Sequence, residues 1–187
     1  MAAPMTVTLK NLQGRYNVNK TQSDPFDDTL QLQGIGWLAR KAISVASISL
    51  AIKQYIGDDG LEHIDIDQFA TGGIKTTELR IFDDVSREHK DMLFGLVQGR
   101  NRRIKLSSLS DEDPDEAYLK AGWSQDIVDD DEIIDGIVIS EANGWEGRLV
   151  WGFAIVDGER KYVRRSVVKK GKQTKRNNMV YDYVGPL

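Results

Sequence analysis

The sequence predicts an all-β protein, an antiparallel up-and-down barrel of about ten strands closed by a helix-turn-helix lid. Three observations predict it. Segments such as Ser47 to Tyr55 and Arg148 to Val156 alternate at a period of two; in the latter, Leu149, Trp151, Phe153 and Ile155 share one face. Tight-turn signals separate neighbouring segments, as at Gly57-Asp58-Asp59-Gly60, Gly72-Gly73 and Asp157-Gly158. The one convincing helical stretch, Asp24 to Ile43, follows the first strand, where it would cover a barrel mouth.

Taken in order, Leu12 to Val18 is the first strand, with Leu12, Tyr16 and Val18 available to one face. Asp24 can N-cap a helix beginning at Pro25, and Asp27 and Asp28 suit its positive end. Gly34 and Gly36 then separate a second helix carrying Trp37, Leu38, Ala42 and Val45. Strands are expected over Ser47 to Tyr55, Leu61 to Phe69 and Ile74 to Phe82. Asp83 to Asp91 reads as a polar turn, and Met92 to Val97 and Arg102 to Leu106 as two weaker strands around Gly99. Ser107 to Asp131 is an acidic excursion, and the sequence leaves open whether it is an ordered loop with a short helix near Glu116 to Ala121 or a mobile one. Strands resume over Ile133 to Ser140, Arg148 to Val156, Lys161 to Val168 and Met179 to Val184.

The chain of 187 residues fits a single domain spanning 1–187, with the acidic insertion at about 107–132. Hydrophobic content of 40% and charged content of 29% are those of a soluble globular protein. No apolar run spans a bilayer, the first residues lack a signal-peptide layout, and there is no cysteine, so a cytoplasmic location is expected. The two histidines, His63 and His89, have no companion at metal spacing, so no metal site is predicted. No cofactor motif is present; Gly95 to Arg102 lacks the Gly-Lys-Ser/Thr of a phosphate loop. Bases crowd Arg160 to Arg176, but alternation along strands solvates much of such charge, which disfavours nucleic acid as a partner. Oligomeric state is not encoded legibly.

Several motifs resemble those of the intracellular lipid-binding proteins, the fatty-acid-binding-protein branch of the lipocalin-like calycins. Gly14-Arg15-Tyr16-Asn17-Val18 is similar to the opening strand, Phe26-Asp27-Asp28-Thr29-Leu30 to the first helix, and Gly34 to Lys41 to the portal helix. Val156-Asp157-Gly158 resembles the Trp-Asp-Gly hairpin, and Met179-Val180-Tyr181 stands where that family has its carboxylate-binding Arg-x-Tyr. The resemblance covers the first hundred residues and the last forty. It implies a hydrophobic ligand inside the barrel, with Arg165 at the position of the other family arginine. Met179 in place of arginine, and the acidic insertion, depart from the pattern.

The candidate ligand-binding residues follow. Arg165 beside Tyr181 and Tyr183 could hold a carboxylate, phenolate or enolate by charge-assisted bonds. Trp151, Phe153, Tyr16 and Phe26 would line the apolar space, and Trp37 with Arg40 would stand at the mouth. Alternation leaves open which face of 160–168 points inward. Two functions remain open at this point. One is binding of a hydrophobic, anionic small molecule; the other is a cofactor-independent cyclase or isomerase working on a polyketide or terpenoid in the same cavity. No catalytic residue is singled out.

Overall fold

In the computed structural model, which describes residues 1–187, ten strands form one antiparallel meander. They are β1 Gly14–Val18, β2 Ile48–Ile56, β3 Glu62–Ala70, β4 Ile74–Ile81, β5 Arg87–Asp91, β6 Gly95–Ile104, β7 Ile133–Ser140, β8 Trp145–Val156, β9 Glu159–Lys170 and β10 Gln173–Gly185. Helices α1 (Asp27–Leu32) and α2 (Trp37–Val45) sit between β1 and β2, and α3 (Pro114–Lys120) and α4 (Gln125–Asp130) between β6 and β7. The sheet order is β4-β3-β2-β1-β10-β9-β8-β7-β6-β5, so β1 pairs with β10 and the sheet curls into a barrel. No ladder joins β4 to β5.

Three expectations are corrected, and one left open is decided. Arg87–Asp91 is a strand rather than part of a turn; its sequence, Arg-Glu-His-Lys-Asp, lacks alternation because four of its five residues are exposed at the sheet edge. Strand β6 runs unbroken through Gly99, whose missing Cβ leaves room for the His89 ring at 3.1 Å. The N-cap of α1 is Phe26, and the Asp24 carboxylate instead accepts the Asn178 N–H at 2.8 Å. The insertion is ordered: Asp113 caps α3 by accepting from the backbone N–H groups of Asp115 and Glu116, with Pro114 at the first position.

That insertion covers the outer wall. Leu119, Trp123 and Ile127 pack with Val150, Val163 and Val167 in one buried cluster, and Trp123 lies flat enough that a Cβ on Gly152 would meet its ring at 2.8 Å. Its acids meet the bases of β8–β10: Asp115 with Lys169 at 2.8 Å and Arg176 at 2.7 Å, Glu116 with Arg148 at 2.6 Å, and Asp126 with Arg160 at 2.5 Å. The two charge-biased stretches of the sequence thus largely neutralise one another within the chain.

The barrel is tightly filled at one end and less densely filled at the other. Near the β2–β3 turn, Tyr16, Ile52, Ile64, Ile66, Phe153 and Tyr162 are fully buried. Arg103 seals that end, donating to both oxygens of Glu62 at 2.7 Å, to Glu132 at 2.7 Å and to the Leu9 carbonyl at 2.8 Å. Toward α1 and α2, residues on the inner face by strand register, such as Gln68, Glu78, Leu149 and Met179, are only half-buried.

Candidate functional site: an arginine floor inside the barrel

The layer between the tightly filled half and the less densely filled half holds a buried, incompletely paired guanidinium. The β8–β9 hairpin fixes its register through Asp157-Gly158, pairing Val156 with Glu159 and therefore Trp151 with Arg164. Because directly opposed residues share a face, Arg164 points inward with Trp151. Its guanidinium carbon lies 4.2 Å from the Trp151 ring centroid, 5.5 Å from that of Tyr162 and 5.4 Å from that of Tyr181. Nε donates to the Tyr162 hydroxyl at 2.8 Å, while Nη2 is buried with no partner. The indole N–H of Trp151 is likewise buried and unpaired. Two donors with no acceptor face the same layer, an arrangement that favours an oxygen-bearing ligand.

A second arginine joins from β4. Arg80 stands 4.9 Å from the Trp151 centroid, donates to the Asn101 side-chain oxygen at 2.8 Å, and places both Nε (3.1 Å) and Nη2 (2.8 Å) on Oε2 of Glu78. Burial opposes ionisation of Glu78, yet Arg80 and Arg164 hold its carboxyl below the usual range. Burial also opposes the charge on Arg164, but the oxygens of Tyr162 and Tyr181 and the Glu78 carboxylate outweigh it, so its pKa rises. Burial pushes the Tyr162 and Tyr181 hydroxyls up, keeping both phenols neutral.

Of the residues singled out from sequence, Trp151, Phe153, Tyr16 and Tyr181 are brought together inside the barrel, with ring centroids 5.1 to 6.5 Å from Tyr162. Tyr183 packs edge-on against Tyr16 at 5.4 Å. Phe153 lies in the filled half, with the Arg160 guanidinium 3.7 Å from its centroid. Arg165 is corrected: it faces the outer wall, 4.2 Å from the Trp123 centroid, donating to the Gly122 carbonyl at 3.2 Å and to Asn178 at 3.4 Å. Phe26 is half-buried at the start of α1. Trp37 is 64% exposed on a helix with no buried residue. Arg40 is no free rim cation, because it donates to Asp27 at 3.1 Å and to the Ile35 carbonyl at 2.9 Å. Sequence reading missed Arg164, Arg80 and Glu78. For Arg164 the signal was present, since counting back from the Asp157-Gly158 turn opposes it to Trp151.

A separate cleft of about 200 Å³ opens on the outer wall beside α3. Its acids Asp115 and Glu116 are already bonded to Lys169 and Arg148, so it offers no unpaired group comparable to Arg164.

This architecture is that of a fatty-acid-binding-protein-like calycin barrel. Solved structures share it at low identity: a fatty acid binding protein of Schistosoma mansoni in complex with arachidonic acid (TM-score 0.56, 13% identity, 92% of this chain and 96% of that one), and human cRBP IV (TM-score 0.54, 12% identity, 92% and 98%). By sequence, the chain is 31% identical over 188 residues to the probable pericyclase scpY of Mollisia scopiformis, covering 99% of this chain and 96% of that protein. It is 27% identical over 194 residues to the pericyclase pydY of an Acremonium species, covering 100% and 98%. The chain belongs to the family of scpY. No protein-family model matches it.

Proposed function

We propose that the less densely filled half of the barrel binds a hydrophobic small molecule with an anionic or strongly polarised oxygen head, and that it cyclises that molecule by a pericyclic reaction. The observation that carries the reading is Arg164: a charged, 93% buried guanidinium, stacked on Trp151, with Nη2 unpaired. The family relationship supports the reaction class, since both curated relatives bear the name pericyclase.

A pericyclic ring closure is an isomerisation. Bonding electron pairs shift around a ring of atoms, π bonds are exchanged for σ bonds, and no atom, proton or electron is gained or lost. The protein's share is therefore to fold the substrate and to polarise it. Aromatic walls at Trp151, Tyr162 and Tyr181 favour a compact conformer of a polyene, which removes entropy before the transition state. A hydrogen bond from Arg164 to a carbonyl conjugated with the reacting alkene withdraws electron density and strengthens as charge shifts.

The test is incubation with linear polyenes bearing a conjugated carbonyl, followed by chromatography with mass detection. The expected product has the substrate's mass and a new retention time. Arg164→Met lowers kcat/KM about 10- to 100-fold, whereas Arg165→Met, on the outer wall, leaves it within about twofold. Tight uptake of such polyenes with recovery of unchanged material alone would replace this reading with that of a carrier, which the fold equally accommodates.

A further inference from the structure

We infer that the ligand reaches Arg164 sideways, through the unpaired seam between β4 and β5, and not under α2. This rests on the proposed internal binding site and adds its route of access.

The mouth beneath the helices is plugged. Leu32 of α1 is buried in a cluster with Val97, Trp145 and Val168, against which Phe94 and Val138 also pack. The Thr29 hydroxyl donates to the Asn177 side-chain oxygen, whose amide nitrogen donates to the Pro25 carbonyl at 3.1 Å. Arg40 ties α2 back to α1 through Asp27 and Ile35. Swinging α2 aside would still leave α1 in the opening.

The seam is different. Its lower end is stitched by the Phe82–Asn101 bridge, by the Asp84 N–H on the Asn101 carbonyl at 3.1 Å, and by Arg80 on the Asn101 side chain. Above Arg80 no ladder closes it. Counting along the strands from the Phe82–Asn101 bridge, with Gly99 opposite Arg87 and Val97 opposite His89, sets Glu78 level with His89 and Thr77 level with Lys90. Glu78 and His89 belong to the inner face, yet His89 is exposed and the Glu78 side chain keeps 31% of its accessible surface. Solvent therefore enters the barrel here. The slot from Arg80 to Ile74 spans six residue-to-residue steps, about 20 Å at about 3.3 Å each.

Its outer rim offers apolar contact and its inner end offers guanidinium groups. Leu79 (73% exposed) and Leu96 (54% exposed) flank the outside, near a cleft of about 160 Å³ in which Leu96, Val97 and Ile139 stand beside the acids Glu88 and Glu141. Inside, Arg80 and then Arg164 follow one another along Trp151. A molecule entering this way can leave a long tail in the slot, so the barrel would read the head and the reacting segment and place no limit on the remainder.

The chain has no cysteine, so a staple can be placed cleanly. Thr77→Cys with Lys90→Cys, joined by a short cleavable bis-maleimide, bridges the seam on its outer side. Leu38→Cys with Met92→Cys, joined in the same way, straps α2 across the mouth. The probe is 1-anilinonaphthalene-8-sulfonate, followed by stopped-flow fluorescence. The seam staple should slow uptake by about tenfold or more, with recovery after the linker is cleaved, and the mouth staple should leave it within about twofold. An unchanged rate in the seam-stapled protein would overturn the route, whether or not the mouth staple slows uptake. A failure of the unstapled protein to bind the probe would instead overturn the internal site itself.

Discussion

Trp151 is shared by two guanidinium groups, Arg164 and Arg80, and the one carboxylate bonded to either of them is Glu78. Within this layer, two positive charges stand against one negative charge. Glu78→Gln leaves both positive charges uncompensated. An anionic probe should then bind about 3- to 10-fold more tightly at low ionic strength, the gain shrinking with added salt; calorimetric titration at two salt concentrations measures both. The same layer explains what sequence reading could and could not reach. Trp151 and Phe153 follow from alternation, and Tyr16 and Tyr181 from alternation together with the family motifs they sit in. Choosing between Arg164 and Arg165 needs the cross-strand register, because one residue of slip exchanges the faces of β9. Arg80 and Glu78 lie on a strand remote in sequence from Trp151, and nothing local marks them as its neighbours.

At the scale of elements, the insertion is a second layer laid on one wall of the barrel. Trp123, whose N–H donates to the Leu119 carbonyl at 2.9 Å, bears down on the backbone of Gly152. Gly152→Ala forces the indole outward and should destabilise the protein by about 1–3 kcal/mol in urea denaturation. Trp123→Leu alone should cost about 1–3 kcal/mol through lost packing. If the contact is as tight as described, the double variant is less destabilised than the sum of the two, by about 0.5 kcal/mol or more. The order of this segment was only partly legible. A short helix near Glu116 to Ala121 was expected and stands at Pro114–Lys120, but nothing local pairs the acids Asp115, Glu116 and Asp126 with their partners on β8 to β10. Strand β5 was hidden for the opposite reason: an edge exposed on both faces carries no apolar period.

Across the whole molecule, ion pairs knit the layers together and set a direction for acid stability. Burial opposes ionisation of Asp115, Asp126 and Asp182, but hydrogen bonds from Lys169 and Arg176, from Arg160, and from Lys161 respectively bring their carboxyls below the usual value. Burial likewise opposes Glu62, and Arg103 and Gln54 overcome it. Each group binds its proton more weakly folded than unfolded. The stabilisation is thus fully present above the ordinary carboxylate range of about 4 and is lost as pH falls through the depressed folded values. Melting temperature should be nearly level from pH 8 to 6 as far as these groups are concerned and fall steeply below about pH 4. A scan across that interval checks it; a fall confined to pH 6–8 would contradict the assignment.

The barrel's unequal filling bears on how such a protein can change. Tyr16, Ile52, Ile64, Ile66, Phe153 and Tyr162 pack the end sealed by Arg103, while Gln68, Glu78, Leu149 and Met179, on the inner face of the other end, are only half-buried. Replacements at these half-buried positions disturb fewer packed neighbours, so their penalty in folding is small. Folding and lining thus rest on separate residues. The lining of one such chain can vary while the keel that folds it stays the same.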